Sequence, residues 1–325
     1  MAELVDAHDS KSCGEIHESS ILSFGTNNKD PQVRVFIILA IMYQQNVCFN
    51  THFYFKNFMV YYVSIIKSMA QIIAVVNQKG GVGKTTTAVN LAAALAEAGK
   101  FVLLVDLDPQ GNATSGLGIK YQELEQGLYH SISGQSRLHD VVHNTAHAGL
   151  RVAPATPDLA GANVELVNVE GREKKLGEVL SEVAHAYDYI IIDCPPSLGI
   201  LTLNGLIAAD HILIPVQAEY YALEGLGQLL KTIELIRTNL KPELKVLGAV
   251  LTMYDARNSL SEEVMNELYK FFPDNIFRSV IPRTVRLAEA PSFGQSIFHY
   301  DPSGKGSKAY ERLGREFLDR FEREE

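Results

Sequence analysis

A lysine and two threonines close a run of small residues at Gln78-Lys-Gly-Gly-Val-Gly-Lys-Thr-Thr86. Glycines carry no Cβ, so successive backbone N–H groups can curl around an anion. Ile72–Asn77 reads as a strand leading in, and Lys84–Ala98 reads as a helix leading out. The start of that helix adds unpaired N–H donors and the positive end of its dipole. Gly80, Gly81, Val82, Gly83 and Thr86 would form a phosphate cradle. Lys84 would reach the β- and γ-phosphates, and Thr85 would offer its hydroxyl to Mg²⁺.

The loop departs from the general G-x-x-x-x-G-K-[ST] pattern. Gln78 stands where the first glycine belongs, and Lys79 occupies the loop entrance. One reading makes Lys79 a solvated surface cation. The other has it contact phosphate, including that of a facing subunit, so that the nucleotide would hold a dimer together.

Two further segments supply carboxylates. Val102-Leu-Leu-Val-Asp-Leu-Asp108 ends a strand with Asp106 and Asp108, and Tyr189-Ile-Ile-Ile-Asp193 ends another. Acids at the C-terminal ends of apolar parallel strands face the crevice where ligands bind. Asp193 suits a water-mediated Mg²⁺ contact, and Asp108 is placed to orient or activate a water. Asp106 divides evenly between a turn or capping role and a chemical one. Cys194 reads as a small packed residue.

These residues need elements to position them. Candidate strands are Ile72–Asn77, Phe101–Asp106, Arg151–Pro154, Tyr189–Asp193, His211–Pro215, Val246–Thr252 and Ile276–Ile281. Candidate helices are Lys84–Ala98, Arg172–Ala186, Leu223–Leu240, Leu260–Phe271 and Lys308–Arg323. The strands are rich in Val, Ile and Leu without polar alternation, which suits a parallel sheet buried on both faces. Alternating strands and helices predict an α/β fold, a doubly wound, mostly parallel sheet flanked by helices.

That pattern begins at Met69. Residues 1–34 are polar, and the apolar runs within 35–66 are too short to span a bilayer. The expected division is an N-terminal extension at 1–68 and an ATPase-like domain at 69–325. Residues 2–13 resemble a conceptually translated transfer-RNA gene, and Met69 stands where a natural start would be. The extension is therefore expected to be non-native or disordered, with a membrane-associating or regulatory segment as the alternatives. Three cysteines without disulfide-like or metal-like spacing fit a reducing, cytoplasmic setting. A net charge of −9 makes general affinity for nucleic acid unexpected, so any DNA contact must be local.

Six ordered segments resemble the deviant Walker A ATPases of the chromosome-partitioning ParA/Soj type. They are Lys79–Thr85, Asp106–Gly116, Asp193–Ser197, Pro215–Gly225, Leu251–Arg257 and Ile281–Ser292. The resemblance spans about residues 69–320. It implies a P-loop NTPase fold and ATP and Mg²⁺ as cofactors. It implies that ATP closes a sandwich homodimer in which Lys79 reaches the partner's phosphates. Lys84, Thr85 and Thr86 would serve the phosphates and metal in cis, and Asp108 would support hydrolysis. Pro282 and Arg283 resemble the segment lining the adenine and ribose pocket. Arg257 and Arg286 resemble positions at which the family carries DNA-contacting arginines. The ATP dimer would bind DNA non-specifically and associate with the nucleoid. A ParB-type centromere-binding partner would stimulate an otherwise slow hydrolysis.

Rival readings share the loop. A MinD-like membrane-associated positioning ATPase needs a basic amphipathic C-terminal helix. Glu311 to Glu325 instead carries four arginines against six acids, and Tyr310, Leu313, Phe317 and Phe321 form a stripe suited to packing on the sheet. A nitrogenase-reductase-type electron carrier needs more cysteines than Cys194. A small-molecule kinase or amidoligase needs an acceptor pocket that no motif supplies. A plasmid-type autorepressor needs a helix-turn-helix, and residues 1–68 lack that pattern.

Overall fold

The computed structural model describes residues 70–219, 222–273 and 275–322. The expected extension at 1–68 lies outside the described residues. Seven strands form one sheet in the order β3-β4-β2-β5-β1-β6-β7. They are β1 (Gln71–Val75), β2 (Val102–Asp106), β3 (His143–Asn144), β4 (Leu150–Ala153), β5 (Tyr189–Asp193), β6 (His211–Gln217) and β7 (Lys245–Thr252). All neighbours are parallel except β3 with β4. Five helices matter most here: α1 (Lys84–Glu97), α2 (Ile200–Ala208), α3 (Ala222–Asn239), α4 (Ser259–Phe271) and α5 (Lys305–Glu322).

Period-two alternation sorts apolar side chains to the two sheet faces. Ile190 and Ile192 join one core with Leu206 of α2 and Leu226 of α3. Ile191 joins the other core with Leu91 of α1 and Phe317 of α5. Tyr310, Leu313 and Phe317 are fully buried there, so the predicted C-terminal stripe packs on the sheet. No helix among the described residues is long and apolar enough to cross a membrane.

Two expected elements differ for identifiable reasons. The helix foreseen over Arg172–Ala186 is broken into short turns around a helix at Lys175–Ser181. In a continuous helix the Leu176 N–H would bond the Arg172 carbonyl. Asn204 of α2 takes both groups, accepting from Leu176 N at 3.0 Å and donating to Arg172 O at 2.8 Å. The strand foreseen over Ile276–Ile281 touches β7 only at its ends, through Phe277 N to Ala249 O and Ile281 N to Leu251 O, both 2.8 Å. Between them, Arg278 N and Ser279 N donate to the Glu316 carboxylate of α5 at 2.8 and 2.9 Å. The two-residue β3 was not foreseen.

Pro215 lies inside β6, where a missing N–H should interrupt a ladder. Leu213, two residues earlier and on the same side, accepts from Val76 N at 3.1 Å. Beyond that bond β1 has already turned into the loop, so the Pro215 nitrogen faces no ladder acceptor on the β1 side, while the residue stays in register with Val250 of β7. The Asn77 side chain donates to the Pro215 carbonyl instead, at 2.7 Å.

Close packing of α2 explains the small Cys194. A Cβ on Gly205 would stand 2.7 Å from Cys194 Sγ and 3.1 Å from Leu107 Cδ2. Alanine ordinarily improves a helix interior by about 1 kcal/mol over glycine. Here overpacking reverses the sign, and Gly205→Ala is expected to lose about 1–3 kcal/mol in urea unfolding. Unchanged stability would mean that Cys194 can step aside.

Candidate functional site

β1 is the switch point of the sheet, because the chain first leaves it toward β2 and later returns on its other side as β6. Ligands in such sheets bind at the carboxyl ends of the strands flanking that point. The loop after β1 lies there. Gly81 and Gly83 take left-handed backbone angles, with φ of 74° and 85°. Only glycine adopts these without strain. Gly83 caps α1 with no side-chain bond to the helix N-terminus. The first N–H groups of α1 can therefore serve an anion.

The loop is held from three directions. Asn77 Oδ1 accepts from Lys79 N at 3.0 Å. Thr252 at the end of β7 donates to the Val82 carbonyl at 2.7 Å. Lys84, only 7% exposed, folds its ammonium back to the Lys79 carbonyl at 3.2 Å. Met253, the residue after Thr252, carries a φ of 52°, an uncommon left-handed geometry for a side chain of its size. Thr85 and Thr86 are half-buried at the start of α1, and the Thr86 carbonyl accepts from the Asn90 side chain at 2.8 Å.

Strand register brings the carboxylates to this loop. Asp106 of β2 pairs with Asp193 of β5, which pairs with Val75 of β1. Asp106 is fully buried and accepts from Thr114 N at 2.8 Å and Thr114 Oγ1 at 2.6 Å. Thr114 Oγ1 in turn accepts from Ala155 N at 3.1 Å. Burial pushes the Asp106 carboxyl up to about 6, with the Thr114 bonds opposing. Its visible work is to order the chain after β2. Asp108, 8% exposed, lies beyond the strand and accepts from Gln110 N at 3.0 Å.

Asp193 is different. It is fully buried, and neither carboxylate oxygen has a hydrogen-bond partner of ordinary geometry among the described residues. Burial raises its pKa well above the usual carboxylate range, and the charge of Asp106 adds to the shift. The neighbouring Thr85 hydroxyl and Lys84 ammonium offset only part. Burial also lowers the Lys84 pKa, with Asp193 and Asp108 opposing. An orphaned buried carboxylate beside a threonine hydroxyl suits a hydrated divalent cation with oxygen ligands. Cys194 has its thiol pushed well up by burial, which leaves it unreactive.

Lys79 stays at the mouth, one-third exposed, with its Nζ 3.4 Å from Glu219 Oε2. Arg283 reaches the other oxygen of the same carboxylate at 3.4 Å. Gln217 also donates to that oxygen at 2.6 Å. Pro282 is bridged to Tyr254, and Arg283 N donates to the Tyr254 carbonyl at 3.1 Å. The structure thus gathers the loop and the Pro282-Arg283 segment around Glu219. Sequence reasoning placed Glu219 inside a motif but gave it no role. Its one local signal is an acid just past the end of an apolar strand.

The two arginines expected to face DNA lie outside this cluster. Arg257 is 90% exposed and grips Asp255 through two bonds of 3.0 and 2.8 Å. That grip holds the Asp255 carboxyl down to about 2. Arg286 bonds Glu289 at 3.1 Å and lies over the Tyr300 ring at 5.9 Å.

Residues 70–246 match the AAA domain family. The chain is 53% identical over 253 residues to the chromosome partitioning protein ParA of Myxococcus xanthus, covering 78% of this chain and 89% of that one. It is 54% identical over 248 residues to the sporulation initiation inhibitor protein Soj of Bacillus subtilis, covering 76% and 98%. Among solved structures, cobyrinic acid a,c-diamide synthase from Mycobacterium smegmatis with bound ATP analog and magnesium is similar, with a TM-score of 0.71 and 38% identity over 79% of this chain and 97% of that one. The septum site-determining protein MinD from Pyrococcus horikoshii, complexed with Mg-ADP, gives a TM-score of 0.63 and 28% identity over 78% and 98%. With the doubly wound sheet, the two-lysine loop and identities above one half over most of these relatives, the chain belongs to the ParA/Soj family of chromosome-partitioning ATPases.

Proposed function

We propose that this chain is an ATP-driven partitioning switch whose active form is a homodimer closed over two nucleotides. One observation supports this above the others. Lys84 is buried in its own loop, whereas Lys79 stands at the mouth against a half-exposed glutamate. A lysine so placed can serve a second copy without dismantling its own site.

In this reading the backbone N–H groups from Gly80 to Thr86 cradle the phosphates of ATP. Lys84 binds the β- and γ-phosphates in cis, and Thr86 supports the α-phosphate. Lys79 leaves Glu219 for the partner's phosphates. Thr85 and, through water, Asp193 would hold Mg²⁺, which when bound neutralises phosphate charge. Asp108 orients the attacking water. Pro282 and Arg283 line the base and ribose.

Closure also pairs two copies of Arg257 and Arg286 on one assembly. DNA contact through phosphates is then conditional on ATP. A ParB-type partner would speed a slow intrinsic hydrolysis and release the dimer near the nucleoid. The MinD-like alternative is weaker, because the apolar stripe of α5 is already buried against the sheet.

DNA retention in ATP, ADP and no nucleotide tests the switch. Wild type should be retained with ATP only, and Lys79→Ala in no state. Arg257→Glu should lose retention at moderate salt while binding ATP normally. Equal retention in all states would remove the switch. Glu219→Gln should release Lys79 from an exposed pair worth about 1 kcal/mol or less. A closed homodimer gives up two such pairs, so the ATP dimer should then form at up to about thirtyfold lower protein concentration. A higher requirement in sedimentation would refute that restraint.

Asp193→Asn separates stability from chemistry. The raised pKa means that the folded chain holds this proton more tightly than the unfolded one. Ionising Asp193 therefore costs stability as pH rises above the ordinary carboxylate range. Without nucleotide, the asparagine variant should melt higher than wild type at neutral pH. Its Mg²⁺ dependence should shift to about 10–100-fold higher concentration. A lower melting temperature would show that Asp193 is satisfied in solution.

A further inference from the structure

A second cluster of ligating side chains lies at the far end of α1. Glu97 is the last residue of that helix. It stands 13 residues beyond Lys84, about 20 Å along the axis at 1.5 Å per residue. His147 belongs to the turn between β3 and β4, and His299 to a short helix at Ile297–Tyr300. One ligand atom from each of the three lies within 4.8 Å of the other two. The phosphate site uses none of them.

His147 is the anchor. It is 4% exposed, and its Nδ1 lies 3.3 Å from Glu97 Oε1. Its Nε2 is buried and has no partner among the described residues. Nδ1 is the nitrogen that faces Glu97, and it is the one an ion shared with that carboxylate would take. Burial, then the charge of His299, lowers the His147 pKa, with Glu97 opposing.

Each ligand comes from an anchored segment. Thr145 Oγ1 accepts from His147 N at 3.1 Å. Gly149, with φ of 82°, passes so near the α1–β2 turn that a Cβ would lie 2.9 Å from the Lys100 carbonyl. On the third segment, Ile297 N donates to Asn90 of α1 at 2.8 Å. The two imidazoles stack at 3.7 Å with 13° between their planes. Parallel rings cannot both aim lone pairs at one ion. His299, the exposed member, would have to turn to bring its nitrogen within the roughly 3.3 Å ligand spacing of a tetrahedral zinc site.

We propose that Glu97, His147 and His299 form a binding site for a first-row divalent transition metal such as Zn²⁺, with water completing the coordination. Two imidazoles and one carboxylate suit zinc and its neighbours, whereas Mg²⁺ and Ca²⁺ take oxygen ligands. The ion would tie the end of the phosphate-loop helix to the β3–β4 turn and the C-terminal region. The proposal does not depend on the partitioning role.

The test uses untagged full-length protein stripped with EDTA and titrated with ZnCl₂ in a calorimeter. Bound Co²⁺ provides an optical check through its visible absorption. Wild type should bind one Zn²⁺ per chain saturably and melt at a higher temperature when loaded. His299→Ala and Glu97→Gln should each weaken binding by at least about tenfold. Because both side chains are exposed, melting of the metal-free variants and basal ATP hydrolysis should match wild type. Absence of saturable Zn²⁺ binding overturns the proposal, and so does wild-type affinity in either variant.

Discussion

Three parallel strands finish side by side, and their shared register sets the terms for the site. β2, β5 and β1 bring Asp106, Asp193 and Val75 abreast. Two carboxylates are thereby buried together beside the phosphate loop, where low polarity and like charge both oppose ionisation. The fold satisfies Asp106 through Thr114 and leaves Asp193 without such a bond. In the proposed site, a cation held beside Asp193 would relieve that local destabilisation.

α1 transmits that constraint. Its N-terminus presents donors to the loop, and nearly all its length is buried between the sheet and α5. Gly314 of α5 permits close approach, since a Cβ there would lie 2.9 Å from the Ala94 Cβ. Thr87 and Tyr310 add a hydroxyl pair at 3.3 Å. A helix so enclosed cannot rock independently of the sheet, so the loop keeps its distance from the strand-end acids. The C-terminal stripe therefore serves the phosphate site indirectly by fixing the helix that opens at it.

Local signals made the centre of this arrangement legible. The glycines between Lys79 and Lys84 have few other uses at that spacing, and the apolar runs ending in Asp106 and Asp193 mark strand ends facing a crevice. Features that depend on distant partners were not legible. Asn204 breaks a helix 28 residues earlier in the chain by taking both groups of one backbone bond. Glu316 captures two N–H groups that a strand over Ile276–Ile281 would have used. Glu219 gains significance only when folding sets it between Lys79 and Arg283. His147 and His299 are 152 residues apart, and no spacing rule links them.

The surface cations fit a conditional interaction better than a permanent one. The chain is acidic overall at −9, which opposes DNA at long range. Arg257 and Arg286 are each engaged by an acid three or fewer residues away. Such exposed pairs are weak and exchange readily for a phosphate oxygen. One copy offers two such arginines and little net attraction. Two copies held together by nucleotide would offer four, and a salt dependence of about −3.6 in log–log slope follows from four phosphate contacts. Affinity built this way would collapse when the copies part. The same economy applies to Lys79, whose exposed partner Glu219 is easily left and easily regained. In the proposed switch, reversibility in both places would rest on weak solvent-exposed pairs, while the buried acids stay fixed at the strand ends.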